Sequence, residues 1–353
     1  MDSREIDSGN LILKNEFDMK IAKKYIFMMA PVLVAMMLTG CGGSNGDEPE
    51  QPNLTPPVVE EKDINPPFQT DDDEINILFI GNSFTQDATE HLPGMLEASG
   101  VKNVHMTRLF HGGYTLPEYL SNFDNENICA ARNYHPGYTQ WNSNESQDDC
   151  PAKVLKSREW DIVVLQEHTG RKEGWEWPGT LKDALEGLRK KINDAQPNHK
   201  PTIVYLMSQT YSNGSNVLKN NFSDNRTMMF ATTCFVAGKV LERTPIDKII
   251  STGAVLENLR TTSLNIDNGM QLTRDSYHMD YGISRYAAAC AVFETVITPT
   301  TGKKVADCNY RYAKSSTKNG EYSTPVTDAN APVAQAAAHA AVEKPFEVTA
   351  LGL

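Results

Sequence analysis

The sequence predicts a three-layer α/β/α sandwich built around a parallel sheet. Short apolar runs at residues 77–80 and 160–165 are typical of strands that are buried on both faces, and residues 104–110 are strand-like. Longer stretches with apolar residues every three or four positions alternate with these runs and predict helices. Because this alternation favours a doubly wound sheet between two helical layers, we expect a single globular domain over residues 74–353.

Further elements continue the alternation towards the carboxyl terminus. Two more parallel strands are predicted at residues 202–207 and 248–251. The stretch 180–195 places four apolar residues on one side of a helix. The other predicted helices cover residues 88–99, 228–241, 282–297 and 331–342.

The amino terminus has the pattern of an export signal. Three lysines within residues 20–24 precede an apolar stretch, 25–38, which is shorter than the roughly 20 residues that a membrane span needs. The stretch ends in Leu-Thr-Gly-Cys, which resembles a bacterial lipobox, and this resemblance implies that Cys41 is lipidated and becomes the first mature residue. We therefore expect residues 1–40 to be removed, with Met19 as the true start, and the intact mass of membrane-extracted protein would test this. An uncleaved membrane anchor is the alternative.

Residues 41–73 predict a flexible acidic tether, since they are rich in Gly, Ser, Pro, Asp and Glu and cannot bury enough surface to fold. The whole chain has a formal net charge of −12. Nucleic acid and anionic membrane surfaces are therefore excluded as partners, apart from membrane contact through the lipid on Cys41. Neutral or cationic substrates fit this charge.

Two short motifs at opposite ends of the domain point to nucleophilic catalysis. Ser83 follows the first predicted strand, where open α/β sheets place their active sites. A serine attacks well only when a neighbouring base takes its proton, and His278 is a candidate for that base. Asp275, three residues earlier, would fix the tautomer of the histidine. Taken alone, the first motif also fits a turn with a helix-capping serine.

In these two motifs the chain resembles the SGNH (GDSL-like) hydrolases. Residues 81–84, Gly-Asn-Ser-Phe, match the first block of that family, and Asp275 to His278 match the last. The resemblance covers residues 75–297 and implies a flavodoxin-like sheet. It also implies that Ser83 is the nucleophile, His278 the general base and Asp275 its orienting carboxylate.

The remaining two family blocks concern the oxyanion. The resemblance selects Gly113 as the second-block glycine, whose backbone N–H would bind the oxyanion together with that of Ser83. The third block departs from the family, because Gln166 follows the predicted strand where Gly-Asn-Asp is expected. Gln166 offers an amide donor on a longer arm, and His168 is the alternative.

Candidate substrate contacts lie beside these blocks. Trp175 and Trp177 follow the third block, and flat aromatic faces suit sugar rings. Some carbohydrate O-acetylesterases of the superfamily also show Gln and Glu near this block, which adds Glu167 to the predicted substrate contacts. Asn82 is a further predicted contact, because it adjoins the nucleophile. The alternative is that the tryptophans pack their loops onto the domain.

The five cysteines after Cys41 lie in a chain that is expected to reach a disulfide-permitting compartment. Cys129 and Cys150 bracket a polar insertion that a crosslink would restrain. Cys290 is expected to pair with Cys308 or to stay buried and free. Cys234 is then the cysteine without a predicted disulfide partner. No spacing predicts a metal site, and no cofactor is expected.

Two function classes follow. The first is a serine esterase that removes acyl groups from carbohydrate in the bacterial cell envelope, through an acyl-enzyme intermediate. The second is a lipid-anchored glycan-binding protein that keeps the fold with little or no catalysis. A lipase is a weaker third possibility, since no long apolar lid is visible.

Overall fold

A seven-stranded sheet forms the centre of the domain that the structure describes. The computed structural model describes residues 74–142, 146–267, 269–315 and 322–353. Within them the strands are β1 (Ile75–Gly81), β2 (Val104–Phe110), β3 (Cys129–Tyr134), β4 (Ser146–Asp149), β5 (Ile162–Gln166), β6 (Thr202–Met207) and β7 (Lys248–Ser251).

The strand order is β4-β3-β2-β1-β5-β6-β7. Strands β2, β1, β5, β6 and β7 are parallel to one another, and their order is that of a flavodoxin-like sheet. The predicted α/β/α fold is confirmed. The sheet is extended at one edge, where β3 and β4 add an antiparallel pair beside β2 that the sequence did not predict. Antiparallel neighbours need no long crossover, so the insertion after β2 can extend the sheet within a short stretch of chain.

Helices cover both faces of the sheet. They are α1 (Ser83–Thr89), α2 (Leu92–Ala98), α3 (Leu116–Ser121), α4 (Pro151–Leu155), α5 (Leu181–Ala195), α6 (Asn216–Phe222), α7 (Arg226–Arg243), α8 (Thr252–Leu259), α9 (Ile283–Val292), α10 (Thr298–Thr301) and α11 (Ala331–Glu343). Helices α1, α8, α9 and α11 pack in one layer, and α3 and α4 pack on α5 in the other.

The helix that follows the first strand differs from its prediction. It begins at Ser83, the candidate nucleophile, and stops at Thr89. A second helix then starts at Leu92, with Pro93 in its first turn, where a missing N–H is tolerated. The predicted helix 88–99 is thus two helices, and Ser83 lies on the first turn of the earlier one.

The five cysteines of the described domain are all buried and unpaired, so the expected Cys129–Cys150 crosslink is not formed. The thiols lie in the apolar interior, and Cys290 takes the free state that was one of its two alternatives. Cys41, the signal sequence and the tether lie outside the described residues. Within the described ranges, no helix combines the length and the apolar character that crossing a membrane requires.

Candidate active site

The candidate site lies at the carboxyl ends of β1, β2 and β5. Asn82, directly after β1, caps helix α1: its side-chain oxygen accepts from the backbone N–H of Phe84 at 3.0 Å. The Asn82 amide nitrogen donates to the carbonyl of Tyr114 at 2.8 Å, which joins the turn after β1 to the loop after β2. Asn82 is completely buried. The prediction that it contacts substrate is therefore corrected, because both ends of its side chain bind the protein's own backbone.

Ser83, His278 and Asp275 form one hydrogen-bonded chain. The Ser83 hydroxyl lies 2.7 Å from Nε2 of His278, and Nδ1 of His278 lies 2.6 Å from a carboxylate oxygen of Asp275. The other Asp275 oxygen accepts from the backbone N–H of His278 at 2.8 Å. This is the geometry in which a serine can lose its proton to an imidazole that a carboxylate orients.

The charge on Asp275 suits this role. Partial burial raises the pKa of its carboxyl, but the hydrogen bonds from His278 outweigh burial and hold the pKa below its usual range. Asp275 therefore stays ionised at neutral pH and can stabilise the imidazolium that forms during attack. The His278 side chain keeps 15% of its surface exposed, so a substrate can reach the Ser83–His278 pair.

Gly113 lies in the loop after β2, near the turn that carries Ser83. Its φ of +73° is in the left-handed region, which an L-residue adopts only at a cost. A side chain built at Gly113 would meet nothing within 4 Å, so the space beside this backbone is open. A substrate atom can therefore approach this backbone closely, as an oxyanion contact requires.

Gln166 does not face this space. The residue is fully buried, and its side-chain oxygen accepts from the backbone N–H of Asn82 at 2.9 Å. The same oxygen accepts from the N–H and the hydroxyl of Thr85, at 3.2 and 2.8 Å, while the amide nitrogen donates to the carbonyl of Glu167. The prediction of Gln166 as an oxyanion donor is corrected: its amide fixes the start of helix α1, which carries Ser83.

His168 has the properties of a neutral hydrogen-bond donor. Its Nδ1 accepts from the backbone N–H of Gly170 at 2.9 Å, which assigns the ring proton to Nε2. Burial, with the nearby charges of Arg171 and His278, lowers the pKa of His168 to about 4. The ring packs edge-on against Phe84, the residue after the nucleophile, at a centroid distance of 5.0 Å.

Glu167 connects the loops that carry Gly113 and His168. Its two carboxylate oxygens accept from the backbone N–H groups of Leu116, at 2.9 Å, and His168, at 2.5 Å. The side chain is completely buried. Its predicted contact with substrate is therefore corrected to a contact within the protein.

The family match agrees with the extent of this domain. Residues 76–339 match a family described as "Domain of unknown function (DUF4886)". The chain belongs to the DUF4886 family. A crystal structure of a DUF4886 protein from Bacteroides uniformis ATCC 8492 is similar over 79% of this chain and 98% of its own, with 27% identity and a TM-score of 0.63.

More distant structures resemble the same DUF4886 domain. A protein from Slackia heliotrinireducens that is assigned to the SGNH hydrolases has 20% identity and a TM-score of 0.41, over 63% of this chain and 98% of its own. The acetyl xylan esterase AlAXEase has 14% identity and a TM-score of 0.33, over 61% and 96%. No curated protein matches the chain.

The two predicted tryptophans of this DUF4886 chain lie in different surroundings. Trp177 is only 5% exposed and packs in the main core, so its predicted substrate contact is corrected. Trp175 is half-buried and contacts Phe222 edge-to-face at 5.4 Å. This pair belongs to a small apolar cluster that includes Phe84, beside the nucleophile.

Tyr277 was missed as a candidate substrate contact. Its side chain is 38% exposed, and its ring lies 4.3 Å from that of His278 and 5.6 Å from that of Tyr211. The signal was present in the sequence, because Tyr277 lies between the two residues of the Asp-x-x-His motif. Tyr277 and Trp175 give the site aromatic surface that remains accessible.

Glu167 leads to a prediction on stability. We expect wild-type protein to lose thermal stability relative to Glu167→Gln as the pH rises from about 5 to 8. Burial raises the pKa of Glu167 from 4.5 to about 8, so over this interval the folded protein holds a proton that the unfolded chain releases. The stability contributed by that proton is complete below the unfolded pKa and is lost as the pH rises through the folded one.

Thermal unfolding of both proteins across this pH range measures the effect. The other titrating groups are shared and cancel in the difference. A difference in unfolding temperature that stays constant with pH would contradict the prediction.

Proposed function

We propose that this protein is a serine ester hydrolase that removes acetyl or similar small acyl groups from carbohydrate. The observation that carries the proposal is the chain from Ser83 through His278 to Asp275, with links of 2.7 and 2.6 Å. Ser83 lies 195 residues before His278 in the sequence, yet the three side chains meet at the edge of the sheet where such folds place their active sites.

The proposed reaction has two half-reactions. The Ser83 oxygen attacks the ester carbonyl carbon as its proton passes to Nε2 of His278. The tetrahedral intermediate collapses, the C–O bond to the sugar breaks, and the leaving sugar oxygen takes the proton from His278. Water then attacks the acyl-enzyme with His278 again as base, which releases the carboxylic acid and restores Ser83.

We assign the negative oxygen of each intermediate to the backbone N–H groups of Ser83 and Gly113 and to Nε2–H of His168. Gly113 has open space beside its backbone, and His168 has a neutral ring with its proton on Nε2. Donors of this kind contribute most when they are fixed before the reaction begins. Glu167 and Asn82 provide that rigidity, since each is buried and hydrogen-bonded to the loop that follows β2 or β5.

The aromatic surface supports carbohydrate as the substrate class. Tyr277 and Trp175 offer flat faces on which the C–H side of a sugar ring can pack. The net charge of −12 also favours a neutral glycan over an anionic substrate.

Substrate screening tests the proposal. Purified protein should hydrolyse p-nitrophenyl acetate faster than the octanoate ester and should release acetate from acetylated xylan, whereas Ser83→Ala should do neither. If wild-type protein binds acetylated glycan in calorimetry but releases no acetate, the glycan-binding alternative replaces the enzyme. Preference for the long-chain ester would favour a lipase.

A further inference from the structure

Asp87 is a completely buried carboxylate on helix α1, one turn after Ser83. One of its oxygens accepts from Nε and Nη2 of Arg285, at 2.9 and 2.6 Å, and from Nη1 of Arg274, at 2.9 Å. The other oxygen accepts from the backbone N–H of Met279 at 2.9 Å. Four donors from another part of the chain therefore converge on this single side chain.

Two of these donors flank the segment that carries the general base. Arg274 precedes Asp275, and Met279 follows His278. The segment is closed into a hairpin, because Arg274 N–H donates to the carbonyl of His278 at 3.0 Å and Thr273 forms an antiparallel bridge with Met279. Both ends of the hairpin are thus attached to Asp87.

The tip of the same hairpin is held separately. The carbonyl of Ser276 accepts from the backbone N–H of Ser212 at 2.7 Å, and that of Tyr277 accepts from the Gln209 side chain at 2.9 Å. These contacts attach the tip to the loop after β6, whereas Asp87 attaches the base of the hairpin to the nucleophile's own helix. Asp87 therefore links the helix that carries Ser83 to the segment that carries His278 by direct hydrogen bonds.

We propose that Asp87 is a positioning residue that sets the distance between the Ser83 hydroxyl and His278. Helix α1 carries the nucleophile Ser83 and, one turn later, Asp87, which holds the segment of the general base. Ser83 and His278 therefore move together. A displacement of about 1 Å between reacting groups can cost on the order of 10²-fold in rate. The inference rests on the proposed function for its kinetic consequence, and its geometric consequence is independent of that function.

Asp87→Asn tests this role, because it keeps the shape of the side chain and removes the charge that pairs with Arg274 and Arg285. The matched control is Asp161→Asn. Asp161 is also a buried carboxylate, 5% exposed. It accepts from the backbone N–H of Asn76 at 2.7 Å, at the amino ends of the strands and away from the site. Both variants should unfold at lower temperature, since each loses a buried hydrogen-bonded charge.

We expect only Asp87→Asn to lower kcat for p-nitrophenyl acetate, by about 10²-fold, with KM changed less than about threefold. In a crystal structure of Asp87→Asn, the Ser83 Oγ to His278 Nε2 distance should exceed about 3.5 Å, the limit of a hydrogen bond. If Asp87→Asn does not fold, Arg274→Gln is a milder second variant, because it leaves Asp87 paired with Arg285. It should also lower kcat with little change in KM.

Unchanged kcat in folded Asp87→Asn, or an unchanged 2.7 Å separation, would overturn the inference. So would equal losses of kcat in the Asp87 and Asp161 variants, since these would follow from lost stability alone. If wild-type protein is inert towards every ester, the proposed function fails, while the crystallographic distance still decides whether Asp87 positions His278.

Discussion

Replacing Ser83 by alanine is expected to lower kcat for ester hydrolysis by about 10⁴-fold or more, because in the proposed reaction the acyl-enzyme forms on the Ser83 oxygen. The Ser83 hydroxyl bonds to His278 at 2.7 Å, so its loss removes the reaction route and not merely a contact. The control is Ser157→Ala, whose hydroxyl bonds to the carbonyl of Val154 and should be dispensable. Steady-state kinetics with p-nitrophenyl acetate measure both variants.

The double variant Ser83→Ala with His278→Ala should lose little more than the first alone, because the two residues act in one proton relay. A fluorophosphonate should label Ser83 in wild-type protein and should not label Ser83→Ala. Multiplicative losses in the double variant, or full labelling without Ser83, would show that the nucleophile is elsewhere.

His168→Ala is expected to lower kcat by about 10²-fold or more, with a smaller loss of thermal stability than Gln166→Ala, because it removes one proposed donor to the oxyanion. Gln166→Ala should behave differently. Its oxygen accepts three buried hydrogen bonds at the start of helix α1, and an unsatisfied buried donor costs about 1–3 kcal/mol. Gln166→Ala should therefore lower the unfolding temperature sharply.

Kinetics and thermal unfolding of the two variants, side by side, separate these roles. Wild-type kcat in His168→Ala would remove His168 from the oxyanion assignment. Undiminished stability in Gln166→Ala would show that the contacts to Asn82 and Thr85 contribute nothing measurable.

The sequence could predict the parallel strands because their signal is local. Strand β6 coincides with an apolar run, and strands β2 and β7 have the predicted bounds 104–110 and 248–251. The candidate residues Ser83 and His278 could also be predicted from the sequence, since each lies in a short motif at a predicted sheet edge. Strands β3 and β4 gave no comparable signal, because their segments are rich in polar residues and depend on β2 for their pairing.

The direction of a polar side chain could not be predicted in the same way. Gln166 and Glu167 have suitable chemistry for a substrate contact, yet both face the interior, where backbone N–H groups satisfy them. Asp87 illustrates the same limit. An acidic residue on a short helix is usually solvated, and its partners Arg274 and Met279 are 187 and 192 positions away in sequence. Only the folded chain brings these charges together.

The buried, unpaired cysteines affect how this protein can be produced and monitored. Because the described cysteines form no crosslink, refolding should need no oxidant, and a reducing buffer should prevent the exposed thiols of the unfolded chain from pairing wrongly. Burial raises the pKa of Cys129 to about 12, so the reactive thiolate is scarce while the domain is folded. Alkylating reagents would therefore modify these thiols mainly after the domain opens. Their rate of alkylation would report the frequency of global unfolding without any engineered label.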